Sequence, residues 1–202
     1  MIIDIFKTSI YCTNVFNETY KKYFIDKLEK CIKEKNQSFK SNYGGFQTPS
    51  FYLNTNNNNN NLEKKFINDV IINHCSIFLK QFKIIKPFQL NNFYYWLNKN
   101  SKGSSNKPHC HGFDCISGVY YLNTPKNSGD LVFLNIDKTT CKNGKFIDDA
   151  NFFSEFIIKP KEYDLILFFS ETIHYVQSNN SEEDRISMAF NINISEVEDD
   201  KH

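Results

Sequence analysis

Near residue 84 the hydrophobic period of this 202-residue chain changes from that of a helix to that of a strand, and few architectures accommodate such a change. Upstream, Asn17 is a candidate N-cap, and Tyr20, Phe24, Leu28 and Ile32 recur every four residues to about Lys35. A second amphipathic helix is predicted from about 62 to 82, with Phe66, Val70, Ile71, Phe78 and Leu79 on one face. A polar loop over 36–50 and an asparagine tract over 56–61 lie between them, the tract reading as a solvated insertion. Downstream come short β-rich runs at 93–98, 116–123, 131–135, 153–158, 165–169, 173–177 and 186–194, separated by turn-forming clusters at 124–129 and 178–181. Two helices followed by many short strands predict a mostly β protein, a sandwich or jelly roll with the helices packed on one outer face. The chain reads as a single domain over 1–202. Residues 1–83 form an N-terminal strand and helical support region with the Asn-rich loop 54–61, 84–194 the β core, and 195–202 an acidic tail.

Charge and cysteine content narrow the function. A net charge of +1 provides no field for a polyanion, so unaided nucleic-acid binding is not expected. The opening twelve residues are too short and interrupted for a signal peptide, and no apolar run approaches a membrane span. Six cysteines are scattered rather than spaced as a disulfide framework, so a reducing, cytoplasmic location is expected, with Cys110 and Cys115 reduced and buried. Of the 24 Lys and Arg residues only Arg185 is arginine. A chain that otherwise uses lysine for its cations raises the question of what a planar guanidinium does at that position.

Three of the five histidines fall in the β half. His109 and His111 are i and i+2, so in an extended chain both imidazoles face one side. A jelly roll brings distant antiparallel strands side by side, and His174, at the start of a later β-rich run, can supply a third ligand. Such a set leaves coordination positions open, as at non-haem Fe(II) or catalytic Zn sites. Arg185 and Ser187 are again i and i+2, a guanidinium and a hydroxyl suited to gripping a carboxylate. His74, alone in the second helix, reads as a packing residue.

These stretches, in order, resemble a known family. Ser41-Asn42-Tyr43-Gly44-Gly45-Phe46-Gln47, Trp96-Leu97-Asn98, His109-Cys110-His111 and Ser117-Gly118-Val119-Tyr120-Tyr121-Leu122 are followed by the 125–129 turn. Phe169-Ser170 before His174 and Arg185-Ile186-Ser187 leading to Phe190-Asn191 complete the set. The pattern is similar to iron- and 2-oxoglutarate-dependent oxygenases, prolyl-hydroxylase-like, and to a small subfamily of marine bacteria and their phages. The resemblance implies a double-stranded β-helix, cupin-like core. It implies Fe(II) held by His109 and His174, with His111 at the third ligand position, and 2-oxoglutarate held by Arg185 and Ser187 with Tyr121 and Asn98 in the same pocket. Dioxygen would be the oxidant and ascorbate an optional reductant. The implied activity is a dioxygenase, a hydroxylase coupling oxidative decarboxylation of 2-oxoglutarate to C–H oxidation.

The chain departs from the family at His111, where the wider superfamily has Asp or Glu. Asp114 is the nearest carboxylate and serves as an alternative third ligand or as a partner to a ligand histidine. Phe46 stands where Trp is usual, and Tyr163-Asp164 where a turn Gly is usual, a change that strains a loop. Two other readings stand beside the oxygenase. One is a structural zinc site using His109, Cys110, His111, Cys115 and His174; the other is an oxygenase fold reused as an interaction module. The substrate, whether protein side chain, small metabolite or nucleobase, is not set by these motifs.

Overall fold

The computed structural model describes residues 8–53, 62–83, 85–112, 114–135 and 153–197. The Asn-rich tract, Cys141 and the last five residues lie outside them. Helix α1 (Glu18–Lys33) starts where expected: the Asn17 side chain accepts from the Tyr20 N–H at 3.1 Å and satisfies one of the first-turn donors. The second helical region is not one continuous α-helix. It comprises α2 (Leu62–Phe66), a π-helical segment (Ile67–Ile72) and α3 (Asn73–Leu79). The wider turn brings Phe66, Ile67, Ile71, Cys75 and Phe78 all into the core and leaves Val70 half-buried, which a uniform 3.6 period does not foresee. No helix among the described residues is long and apolar enough to cross a membrane.

Twelve strands are found among the described residues, in chain order β1 (Ile10–Asn14), β2 (Asn42–Tyr43), β3 (Phe46–Gln47), β4 (Phe51–Leu53), β5 (Phe88–Asn100), β6 (Ser105–His109), β7 (Ile116–Asn123), β8 (Leu131–Leu134), β9 (Glu155–Ile158), β10 (Asp164–Phe169), β11 (His174–Val176) and β12 (Arg185–Glu196). They form two antiparallel sheets. The larger runs β1-β10-β7-β12-β5-β3, with β4 also pairing β5; the smaller runs β2-β6-β11-β8-β9. This is the expected jelly roll with helices against one sheet. β12 continues through Glu196, so the segment read as a tail from residue 195 begins as strand.

Both faces of the larger sheet are covered. On one, Tyr120 and Leu122 join Phe24, Phe66 and Tyr95 beneath the helices. On the other, Val119 and Tyr121 meet Phe133 and Phe168 between the sheets. β7 is therefore buried from Ile116 to Leu122 and shows no polar alternation. Gly118 is required there, because a Cβ would lie 2.3 Å from Phe190 Cζ.

A buried ionic knot ties the helices to this sheet. Glu63, 4% exposed, accepts from Tyr95 at 2.6 Å through Oε1, and from Tyr23 and Lys27 at 2.7 Å each through Oε2. Burial alone would raise the Glu63 pKa; the hydrogen bonds from Lys27, Tyr95 and Tyr23 overcome it and hold it below the usual 4.5. A depressed carboxylate stabilises the fold above its unfolded pKa, and this contribution fades as pH falls through the lower folded value. Glu63→Ala leaves the half-buried Lys27 without its carboxylate and is expected to cost about 2–3 kcal/mol. Glu63→Gln should in addition flatten the acid limb of stability below pH 4.5, read as urea midpoints against pH.

Candidate functional site

The histidines gather at the end of β6 and the start of β11. β6 and β11 are antiparallel neighbours, and their register sets His174 opposite His109. His111 is not on the strand, which ends at His109. It lies in the loop just beyond, its N–H donating to the Ser170 carbonyl at 2.8 Å. The three imidazoles nonetheless converge: each offers a nitrogen, and these atoms all lie within 4.8 Å of one another. Ring centroids are 5.0 Å apart for His109–His111, 4.5 Å for His109–His174 and 5.3 Å for His111–His174.

The surrounding groups fix which nitrogen faces inward. His109 Nδ1–H donates to the Lys107 carbonyl at 2.7 Å, and His174 Nδ1–H to the Thr172 carbonyl at 2.9 Å. Both rings therefore keep an Nε2 lone pair free. His111 differs. Asn191 Oδ1 accepts from Ser117 at 2.7 Å, so Asn191 Nδ2 points to the Tyr94 hydroxyl at 2.8 Å and to His111 Nδ1 at 3.3 Å. That last contact is the longest of the set, and a metal bound at Nε2 would displace it, since Nδ1 must then carry the proton.

All three rings are held neutral. Burial and then the neighbouring His174, His109 and Lys40 bring His111 down to about 3; burial and His109 bring His174 to about 4; burial lowers His109. Neutral lone pairs are what a metal needs. They also carry a cost in acid. The unfolded chain takes up protons below about 6.5, the usual histidine value, while the folded site does not, so stability rises with pH there. Metal-free protein is expected to lose stability as pH falls from 6.5 toward 4, and His174→Gln should remove part of that slope in thermal melts.

No carboxylate or thiol joins the triad among the described residues. Asp114 accepts from the Tyr94 hydroxyl at 2.5 Å, and burial with this bond raises the phenol to about 12. The Asp114 N–H donates to the His111 carbonyl at 3.1 Å, but its carboxylate reaches the His111 ring only through Tyr94 and Asn191. Cys110 is exposed rather than buried and Cys115 is half-buried, and neither thiol joins the imidazole cluster.

A narrow cavity leads inward from the triad between the sheets. His109, His111, His174, Tyr121, Asn98 and Ser187 line it, and Arg185 closes it. Arg185 is 2% exposed. Its Nη1 donates to the Ser128 and Gly129 carbonyls at 3.1 and 3.2 Å, its Nε has no partner, and no carboxylate lies within 4.0 Å of it among the described residues. The turn that offers those carbonyls depends on Gly129, whose φ is +89° and where a Cβ would meet the Gln177 carbonyl at 2.2 Å. Asn98 sits on an interior strand opposite Ser187, with its Oδ1 buried and unpartnered. Burial raises the Tyr121 phenol, which the nearby Arg185 opposes, so it remains a hydrogen-bond donor. Tyr163 has φ +69°, a left-handed position without glycine, on a loop away from this cavity.

The sequence offered no signal for the Ser128 and Gly129 carbonyls or for Lys40. Asn191 stood in the sequence only as the end of the Phe190-Asn191 pair, with no role attached, and Tyr94 only as a position in the 93–98 run.

Residues 94–191 match a family model described as "Putative 2OG-Fe(II) oxygenase". Among solved structures, the chain is similar to a Pseudomonas putida prolyl-4-hydroxylase, with TM-score 0.62, 13% identity and 92% of each chain covered. It is also similar to a Trichoplax adhaerens prolyl hydroxylase in complex with a hypoxia-inducible-factor peptide fragment: TM-score 0.57, 15% identity, 91% of this chain and 82% of that one. A third is HygX from Streptomyces hygroscopicus with nickel and 2-oxoglutarate bound: TM-score 0.56, 12% identity, 92% and 83% coverage. At these identities the likeness is one of fold. No curated protein matches the sequence.

Proposed function

We propose, from the match of residues 94–191 to the 2OG-Fe(II) oxygenase family model, that the chain is an Fe(II)- and 2-oxoglutarate-dependent dioxygenase acting as a hydroxylase. His109, His111 and His174 would hold the metal; Arg185 and Ser187, with Tyr121 and Asn98 beside them, would hold the distal carboxylate of 2-oxoglutarate. The metal, when bound, supplies dioxygen activation coupled to oxidative decarboxylation of 2-oxoglutarate and oxidation of a substrate C–H bond.

One observation carries this reading. A guanidinium buried without a carboxylate partner closes the same cavity that three neutral imidazoles open. Burying an unpaired charge costs several kcal/mol in a finished protein, so the site is built for an anion brought from outside. A carboxylate would meet Arg185 as its counter-ion and Ser187 and Tyr121 as neutral donors. The histidine set suits a borderline divalent metal. Because no ligand residue is anionic, the metal would keep its full charge and favour a dianionic co-substrate. The HygX structure with nickel and 2-oxoglutarate is in keeping with this pairing on a similar fold.

The substitution of His111 for a carboxylate favours one second reading, an oxygenase fold that holds metal without turnover. Protein supplied with Fe(II), ascorbate and 2-oxoglutarate under air separates the two. Succinate formation that requires His174 is the expected result. Absence of succinate together with tightly held zinc would establish the structural-metal reading instead.

A further inference from the structure

A second, wider cavity of about 420 Å³ opens on the outer side of the triad, sharing His109, His111, Ser41 and Trp96 with the narrow one. Its volume lies in the range of small-molecule sites. Tyr94 and Trp96 form part of its wall, and Tyr52 continues their aromatic ladder outward, behind Tyr94 and outside the lining. Tyr52 stacks on Tyr94 at 5.3 Å and 27°, Tyr94 on Trp96 at 6.1 Å and 30°, and Trp96 reaches His111 at 5.7 Å. Strand geometry builds it: Tyr94 and Trp96 are i and i+2 on β5, and Tyr52 on β4 is in register with Tyr94. The ladder runs from Tyr52, 77% exposed, down to the triad.

Cations make up the rest of the pattern. Lys40 Nζ lies 5.6 Å over the Trp96 ring, and Lys107 also lines the cavity. Neither has a carboxylate within 4.0 Å among the described residues, whereas Lys21, Lys27, Lys86, Lys99 and Lys102 each have one. No Asp or Glu lines this cavity. Gln47 lines it as well, 1% exposed, with its Oε1 lacking a hydrogen-bond partner.

We propose that this outer cavity is the substrate site and that it selects a planar aromatic unit carrying an anionic group, a carboxylate or a phosphate, with the ring against Tyr94 and Trp96 and the anion on Lys40. The assignment rests on the oxygenase reading, since the cavity matters as a substrate site only if the triad holds the reacting metal. Offset aromatic contacts favour flat rings, and a lysine held over an indole without an acid partner is a ready counter-ion. Gln47 Oε1 would accept an N–H or O–H from the same ligand. A neutral aliphatic substrate would use neither the ladder nor the lysines.

Trp96 is the single tryptophan of the chain, so its fluorescence reports this cavity directly. Ni(II)-loaded protein saturated with 2-oxoglutarate, which occupies Arg185, is titrated with four probes: 3-phenylpropionate, phenyl phosphate, neutral 3-phenylpropanamide and hexanoate. One of the two aromatic anions is expected to perturb Trp96 with affinity at least about tenfold tighter than the amide or hexanoate; which one separates carboxylate from phosphate substrates. Lys40→Gln should abolish that advantage with 2-oxoglutarate affinity retained, and Tyr94→Leu should weaken the aromatic probes while leaving hexanoate unchanged. Equal binding of anion and amide, hexanoate binding as well as the aromatic anions, or no response to any probe would overturn the substrate assignment while 2-oxoglutarate still binds. Failure of 2-oxoglutarate itself to bind, measured beside it by calorimetry, would instead overturn the oxygenase reading.

Discussion

His174→Ala is expected to lower metal affinity on the order of 100-fold or more and to eliminate 2-oxoglutarate turnover, with the fold intact. Groups that merely orient a ligand histidine are typically worth 10- to 100-fold in metal affinity, and loss of a ligand should exceed that. His174 is the most constrained of the three: it is 5% exposed, packs edge-on against Phe168 at 4.6 Å, and has its inward Nε2 fixed by the Thr172 carbonyl. Its removal leaves two imidazoles, of which His111 must first break its contact with Asn191. Metal content after dialysis, beside a thermal melt, reads the effect. His111→Asp makes the complementary test. It restores a charged third ligand and should retain metal at least as well as the natural protein, which a purely structural three-histidine zinc site would not require.

Arg185→Lys is expected to weaken 2-oxoglutarate binding by about 1–3 kcal/mol, roughly five- to 150-fold, although charge is conserved. The guanidinium does two things at once: Nη1 is committed to the Ser128 and Gly129 carbonyls, while other N–H groups are left for a ligand. An ammonium on a shorter, rotatable stem cannot hold the turn and present a planar fork together. Arg185→Met should bind less 2-oxoglutarate than Arg185→Lys yet fold at least as stably, because an uncompensated buried charge is removed. Calorimetric titration of each metal-loaded variant, with urea midpoints alongside, separates binding from folding.

Much of this was legible in the sequence because it depends on periodicity. Helix α1 began at its asparagine cap, and strands β7, β10 and β12 fell on the expected runs, since long apolar or alternating stretches have few alternatives. Arg185 and Ser187 line one cavity from the same strand, as their i, i+2 spacing suggests, whereas His111 meets His109 from a loop rather than from the shared strand face expected. The remainder depends on tertiary partners. Strands β2, β3 and β4 have two or three residues each and exist only because β5 and β6 offer edges. β6 is disguised by Pro108. The π-helical segment is a register adjustment that only packing reveals. Asp114 could not be excluded as a ligand by spacing; its commitment to Tyr94 settles where it points. The backbone carbonyls that seat Arg185 leave no trace in side-chain identity.

The most direct test of the central claim, that one pocket joins a three-histidine metal site to a carboxylate clamp at Arg185, is titration of 2-oxoglutarate into Ni(II)-loaded and metal-free protein. The account predicts a single site whose affinity requires both the metal and Arg185, falling sharply in metal-free protein and in Arg185→Lys. Binding that is indifferent to metal and to Arg185→Lys, or no binding at all to protein that holds its metal, would contradict it.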